Sequence, residues 1–340
     1  MTMLKTREEI AAWLDKYTVK NYVVNEDLTV DVKGSVLLQS VELRWQLPVK
    51  FNSVSGDFDC GVNGLTSLIG CPVSVGGFFS CVYNKLTNLE GCPIKIGGSL
   101  RCNDNGLTSL KFCPEKVGGS FNCDNNKLTT LKYCPVSVSG NFDCSDNGLS
   151  SLKGCPVEVG GNFGCSDNEL TSLKGCPIDI IGSFHCTDNE LLSLLGGPRL
   201  VGGSFSCNGN KLTSLLGSPV KVGEGFYCYG NKLISLKGCP VDIIGSFHCS
   251  NNELLSLLGG PVKVGEGFYC NGNRLISLDG CPEKVGGEFN CSNNIALGDV
   301  FNSMSSQQIR VYIDNKELNG YLSKGLLEVD IKRVSVGKKI

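Results

Sequence analysis

Apolar positions recur along this 340-residue chain with a spacing of 21. The rung from Phe163 to Pro177 shows the pattern. Phe163 and Cys165 come first, Asn168 follows, then Leu170 and Leu173, then Cys176 and Pro177. Cysteines return at this step from Cys60 to Cys291, and asparagines from Asn63 to Asn294. Leucines run in the same way from Leu65 to Leu275 and from Leu68 to Leu278, and prolines from Pro72 to Pro282. A fixed period of this length marks a solenoid of stacked, similar units.

The alternation Phe-x-Cys predicts a short strand with Phe and Cys facing inward and the residue between them outward. Stacking places these strands in one parallel sheet at about 4.8 Å per rung, so twelve rungs span roughly 55 Å. The leucine pair fills the core below the strand. Asn follows the strand, where its amide can bond backbone groups of its own turn and of the next rung. Pro forbids a regular helix on the return path, so that side is expected to be extended or a single turn. The Gly pairs before each strand permit a tight corner.

The ends break the period. Residues 1–55 read as an N-terminal cap. Thr6 and Glu9 make a capping-box pattern before a short amphipathic helix, then strands follow. Val36 and Leu38 replace Phe and Cys in a degenerate first repeat. The array covers residues 56–297. Residues 298–340 read as a C-terminal cap, a helix leading into strands and a basic tail.

These repeats resemble the leucine-rich repeat, whose core is L-x-x-L-x-L-x-x-N-x-L. Phe163, Cys165, Asn168 and Leu170 take its L, L, N and L positions. Segments such as "VGGNFGCSDNELTSLKGCP" are similar to short leucine-rich repeats encoded by bacteriophages, and to those of bacterial type III effectors. The effectors carry L-P-x-L-P where this chain has G-C-P-V-x-V. The resemblance implies an α/β-type leucine-rich-repeat solenoid with its parallel sheet on the concave face, a mostly extended or short-turn convex side, and a cap at each end. It also implies binding of a macromolecule. The ubiquitin-ligase domain of some effectors is not carried over, because residues 298–340 hold no cysteine.

Charge adds little: a net −2 favours neither nucleic acid nor an anionic membrane. No run of 18 apolar residues suggests a transmembrane helix. The charged N-terminus lacks a signal-peptide core, so a cytoplasmic protein with reduced thiols is expected. The 20 cysteines fall into two ladders, one on the strand and one before the proline. Free Cys serves well as a small core residue, and no C-x-x-C occurs. No metal, cofactor or enzymatic activity is expected. The second ladder lacks Cys at Gly197, Ser218 and Gly260, and in those rungs Leu195, Leu216 and Leu258 stand two residues earlier. That exchange suggests volume compensation within a packed interior.

Only two histidines exist, His185 and His248, each directly before a ladder cysteine. Neighbours on a strand face opposite ways, so neither pair can act as base and nucleophile. Three rungs, about 14 Å, separate the histidines, too far for one metal.

The outward strand position is polar early and aromatic late. His185, Tyr227, His248 and Tyr269 form a stripe with Tyr229 beside it. Tyr and His are common in binding hot spots. Arg101 and Asp143 lie on the same face. An acidic stripe follows at the turn, Asp104, Asp146, Asp167 and Asp188. It would suit a cation or a basic partner, or serve only local turn geometry. Lys111, Lys132, Lys153 and Lys174 form a solvated basic stripe.

The expected function is non-enzymatic protein–protein interaction. The phage resemblance implies a phage-encoded protein acting in the host cytoplasm, binding and inhibiting or redirecting a host protein, for instance one of antiviral defence. Segments 176–198 and 239–261 are nearly identical, as are 220–240 and 262–282, the mark of duplication in a surface under contest. Two other readings stay open: a virion or assembly component, and a glycan or small-ligand module using Tyr227, Tyr229 and Tyr269.

Overall fold

A computed structural model describes residues 3–294 together with Leu297, Gln308 and Val311. The proposed C-terminal cap therefore lies outside the described residues, apart from Gln308 and Val311. The chain opens with helix α1, Arg7–Lys16. Thr6 caps it by accepting from the Glu9 amide while the Glu9 carboxylate accepts from the Thr6 amide. Ile10 and Leu14 bury the inner face of α1, closing the apolar end of the array.

Thirteen parallel strands follow one another in a continuous sheet, from Val36–Leu37 to Phe289–Asn290. Val36 pairs with Phe58, and both are fully buried, so the degenerate first rung joins the ladder in register. Each strand is short, two residues ending at the outward position, and the ladder cysteine follows at once. Phenylalanines stack down the core, with centroid separations such as 5.3 Å for Phe163–Phe184 and 5.7 Å for Phe184–Phe205. Leu100 replaces Phe in one rung and interrupts that aromatic column.

The asparagine ladder carries the turns. Asn168 Nδ2 donates to the carbonyls of Cys165 and Ser166 in its own turn and of Cys144 in the rung before. Its Oδ1 accepts from the Leu149 amide, again in the rung before. The cross-rung bonds thus run to the preceding rung rather than the next.

The return side holds an unexpected feature: its extended V-x-V segments are themselves strands. One sheet runs from Tyr22–Val24 through Thr29–Val32 and Lys50–Val54 to Glu158–Val159. A second joins Asp179–Ile180, Leu200–Val201 and Lys221–Val222, and a third joins Asp242–Ile243, Lys263–Val264 and Lys284–Val285. The two breaks have a cause in sequence. The residue after each strand is usually Gly, packed against the backbone of the rung before. A Cβ on Gly202 would lie 2.0 Å from the Ile181 carbonyl oxygen, and on Gly223 1.8 Å from that of Gly202. At the breaks this residue is Ile181 or Ile244. The small Ser55 and Ser139 are accommodated at this position. The branched isoleucines interrupt the strand pairing, while the next amides, Gly182 and Gly245, still bond the rung before.

The volume-compensation reading of the second cysteine ladder is overturned. Leu195, Leu216 and Leu258 are 62%, 47% and 61% exposed. They sit on the outside of the turn after the core leucines and replace no buried thiol. Gly175 shows the geometry, with φ of +104° in a turn closed by the Cys176 amide on the Leu173 carbonyl. The residue before the Gly points to solvent, whether it is Lys or Leu.

Candidate protein-binding face

The strand register fixes the neighbours on the open face of the long sheet. Tyr227 lies beside His248, and His248 beside Tyr269. Their rings form one row: Tyr227 and His248 are tilted by 36° with centroids 5.0 Å apart, and His248 and Tyr269 stack at 4.1 Å. His185 is not part of it. It pairs with Gly164 and Ser206, and Ser206 then pairs with Tyr227. Tyr229 stands past Cys228 and is 45% exposed. Its amide donates to Asn208 Oδ1.

The stack rests on glycines that the 21-residue spacing alone does not reveal. The residue two before the outward position is Ser or Asn in most rungs, but Gly225 and Gly267 precede Tyr227 and Tyr269. A Cβ on Gly225 would lie 2.4 Å from the Tyr227 hydroxyl, and on Gly267 2.4 Å from the Tyr269 ring. Each ring thus lies back over its own glycine, and the repeated string "GEGFYC" encodes the pose. The signal is present in sequence as the co-occurrence of that Gly with Tyr.

Carboxylates border these rings. The Tyr269 hydroxyl donates to Glu288 Oε2 at 3.2 Å. Ser204 and Ser246 hydroxyls donate to Glu224 and Glu266. Burial and the negative charge of Glu288 and Glu266 raise the Tyr269 pKa, so the phenol keeps its proton. Burial lowers the pKa of both histidines, opposed at His185 by Asp143. Burial thus favours the neutral form of both imidazoles.

The other candidates fall elsewhere on the face. Arg101 lies 5.1 Å over the Phe78 ring. Asp143 accepts from the Ser145 amide. Asp104, Asp146, Asp167 and Asp188 all occupy left-handed backbone, with φ of 51° to 54°. Val62, Tyr83, Asn251 and Gly272 hold the same position and conformation in other rungs. Asp is one of the few residue types at ease there, which explains why the stripe contains Asp, Asn and Gly. Asn125 Nδ2 donates to Asp104, binding two steps of the stripe together. Asp124 sits inside this acidic region, with Oδ1 buried and without a protein hydrogen bond. Burial, then Asp143 and Asp104, push its pKa up to about 6.

The thiols are chemically quiet. Cys186 is buried, and its Sγ lies 3.3 Å from the Ser206 carbonyl. Burial, then the neighbouring thiols, raise its pKa well above the usual value, so it carries no thiolate to attack with. His185 lies on the other side of the strand. Among the described residues no group of three or more His, Cys, Asp or Glu could hold a metal ion. No described helix is long and apolar enough to cross a membrane.

No protein-family model matches the chain, and no curated protein matches it either. Among solved structures it is similar to YopM, a leucine-rich effector protein from Yersinia pestis. That match has 19% identity over 76% of this chain and 77% of the other, with a TM-score of 0.52. YopM from Yersinia enterocolitica WA-314 matches at 21% identity and a TM-score of 0.43, over 76% of this chain and 64% of that one. The chain thus spans less than two thirds of that protein. The leucine-rich-repeat domain of APL1B matches at 15% identity and a TM-score of 0.45, over 88% and 91%. The fold is a leucine-rich-repeat solenoid.

Proposed function

We propose that this protein is a non-enzymatic binding protein that takes a protein partner on the open face of its long sheet. One observation carries the reading. Tyr227, His248 and Tyr269 form a solvent-facing stack that two glycines hold in place, and no core packing requires it. Pre-set aromatic area of this kind binds at low entropic cost. The carboxylates around it repel phosphate backbones, which argues against nucleic acid. The stack also sits on the near-duplicate rungs, where copying has multiplied surface residues along with core residues. The resemblance of the repeats to phage-encoded and effector repeats supports a role in a host cytoplasm. There the protein would bind and inhibit or redirect a host protein, antiviral defence being one target class.

The test is affinity capture from bacterial lysate by the wild-type chain and by the Tyr227→Ala/Tyr269→Ala double variant. The expected result is a partner captured by the first and lost from the second. A double variant that keeps every partner would remove the stack from the binding face.

A further inference from the structure

We infer that the partner segment is basic, rich in arginine or lysine, and lies across the long sheet with one cationic side chain beside Tyr227. The inference rests on the protein-binding reading above and adds the chemistry of what is bound.

Charge is segregated on this molecule to a degree that the net −2 conceals. The open face consists of the outward strand position, the two residues before each phenylalanine and the two after each ladder cysteine. From Gly56 to Asn294, Arg101 is the only Arg or Lys in those positions, and it packs over Phe78. Carboxylates are spread along the whole face. Asp57 and Asp59 flank Phe58 near the start of the sheet and Asp143 stands mid-sheet. Asp104, Asp124, Asp146, Asp167 and Asp188 follow the cysteines, and Glu224, Glu266 and Glu288 border the aromatic stack. Lysines gather on other sides. Lys111, Lys132, Lys153 and Lys174 lie on the turn after the core leucines, and Lys116, Lys221 and Lys263 on the return strands. Cations also appear one position past the asparagine ladder, where Lys211 pairs with Glu190 and Arg274 with Glu253. The long sheet is therefore an acidic surface with almost no cation of its own, complementary to a cationic chain.

The aromatic stack gives that surface an anchor. Tyr227 meets His248 on one side only. On its other side lies Ser206, small and buried, and His185 stands one rung further. Two rungs place His185 and Tyr227 about 10 Å apart, with Ser206 as the floor between them. That backbone interval leaves room above Ser206 for one partner side chain beside Tyr227. Glu224 lies at its rim, held by the Ser204 hydroxyl. A guanidinium there would meet the Tyr227 face and the Glu224 carboxylate together. Burial disfavours the charged form of both imidazoles, which lessens any repulsion of that cation.

The test measures fluorescence anisotropy of a labelled Arg-Gly repeat peptide of about twelve residues, and of its Glu-Gly counterpart, with the full chain. Two triple variants remove equal charge. Glu224→Gln/Glu266→Gln/Glu288→Gln acts at the stack, and Glu115→Gln/Glu158→Gln/Glu283→Gln acts at exposed sites off that face. The Arg peptide should bind and the Glu peptide should not. The stack-side triple should weaken binding about tenfold and the other triple less than about twofold, with the loss shrinking as salt rises. Tyr227→Ala alone should weaken it by about fivefold. Equal losses from both triples would overturn the inference, as would displacement by spermine at equal affinity per charge. Both would mean diffuse counterion attraction. The two readings separate in the capture experiment. A cellular partner lost from the tyrosine double variant but kept by the stack-side triple would leave protein binding intact and remove the basic partner.

Discussion

His248 stacks on Tyr269 with 4.1 Å between ring centroids and 20° between ring planes. The contact joins two rungs on the solvent side of a sheet whose other side is already closed by the phenylalanine column. It desolvates the imidazole and holds its pKa below the usual histidine value. The unfolded chain therefore takes up a proton at His248 before the folded chain does. The stability tied to the neutral ring is complete above the unfolded value of about 6.5 and falls away as pH drops through the folded value. Half of this side chain stays near solvent, so the effect is modest. His248→Gln should narrow the Tm difference between pH 7.5 and pH 5 by roughly 1–2 °C. The same variant should leave that difference unchanged if the ring is fully hydrated, and thermal melts at the two pH values decide between them.

Asn168 offers a sharper test of the core. Its amide nitrogen donates to three carbonyls and its oxygen accepts one amide. Asn168→Ala leaves these groups buried without partners, at a cost of about 3 kcal/mol or more. Asn168→Asp is the stricter change. A carboxylate can still accept from Leu149 but would face three carbonyl oxygens with nothing to donate. The Asp variant should be less stable than the Ala variant at pH 7, by urea midpoint. An order Ala below Asp would mean that the ladder is held mainly by its acceptor bond.

The solenoid, its period, its inward residues and its capping box are all legible in the sequence, because each follows from a spacing that repeats on every rung. Asn168 shows this and its limit: its turn role follows from its place after the strand, but its cross-rung bonds run to Cys144 and Leu149 in the rung before and not to the next rung as expected. Other features are less legible. The return-side strands rest on V-x-V segments of two paired residues, too short for an alternation to show. Leu195 and Leu258 lie outside against expectation, because composition alone cannot separate an outer turn position from an inner one. The pose of Tyr227 is hidden for a different reason. It depends on Gly225, two residues away, and emerges only when the ring is seen lying on the glycine.

Two rungs break the rule at the return turn. Gly175 and its equivalents take positive φ there, but Phe112 and Tyr133 hold the same position with φ of 73° and 71°. That conformation costs a bulky residue about 1–2 kcal/mol. Lys111 and Lys132 place their ammonium groups 4.9 Å and 4.8 Å from these rings, an exposed cation–π attraction that offsets about 0.5–1 kcal/mol. Relief of strain should therefore outweigh removal of the ring from its lysine. Tyr133→Gly is expected to stabilise the chain by up to about 1 kcal/mol, and Tyr133→Ala to fall short of it. If the Ala variant is the more stable of the two by urea midpoint, backbone strain at this turn is refuted.

Ile181 and Ile244 mark the weak points of the return side. In neighbouring rungs the equivalent amide bonds the rung before, as Gly202 does to Ile180 and Gly223 to Val201, both at 2.9 Å. Ile181 and Ile244 stand where the return-side sheet divides, and among the described residues their amides make no such bond. The long sheet stays continuous past both points, so the array can open locally on one side while the other holds. Amides at Ile181 and Ile244 should exchange with deuterium about tenfold faster than those of Gly202 and Gly223. Gly202→Ile should create a third such site by driving a Cβ against the Ile181 carbonyl, and exchange at residue 202 should rise to match. Hydrogen exchange read by mass spectrometry on peptides spanning these turns would show it. Uniform protection along the whole return side would instead mean that the isoleucines are accommodated without opening the ladder, and that the division of the sheet has no energetic consequence.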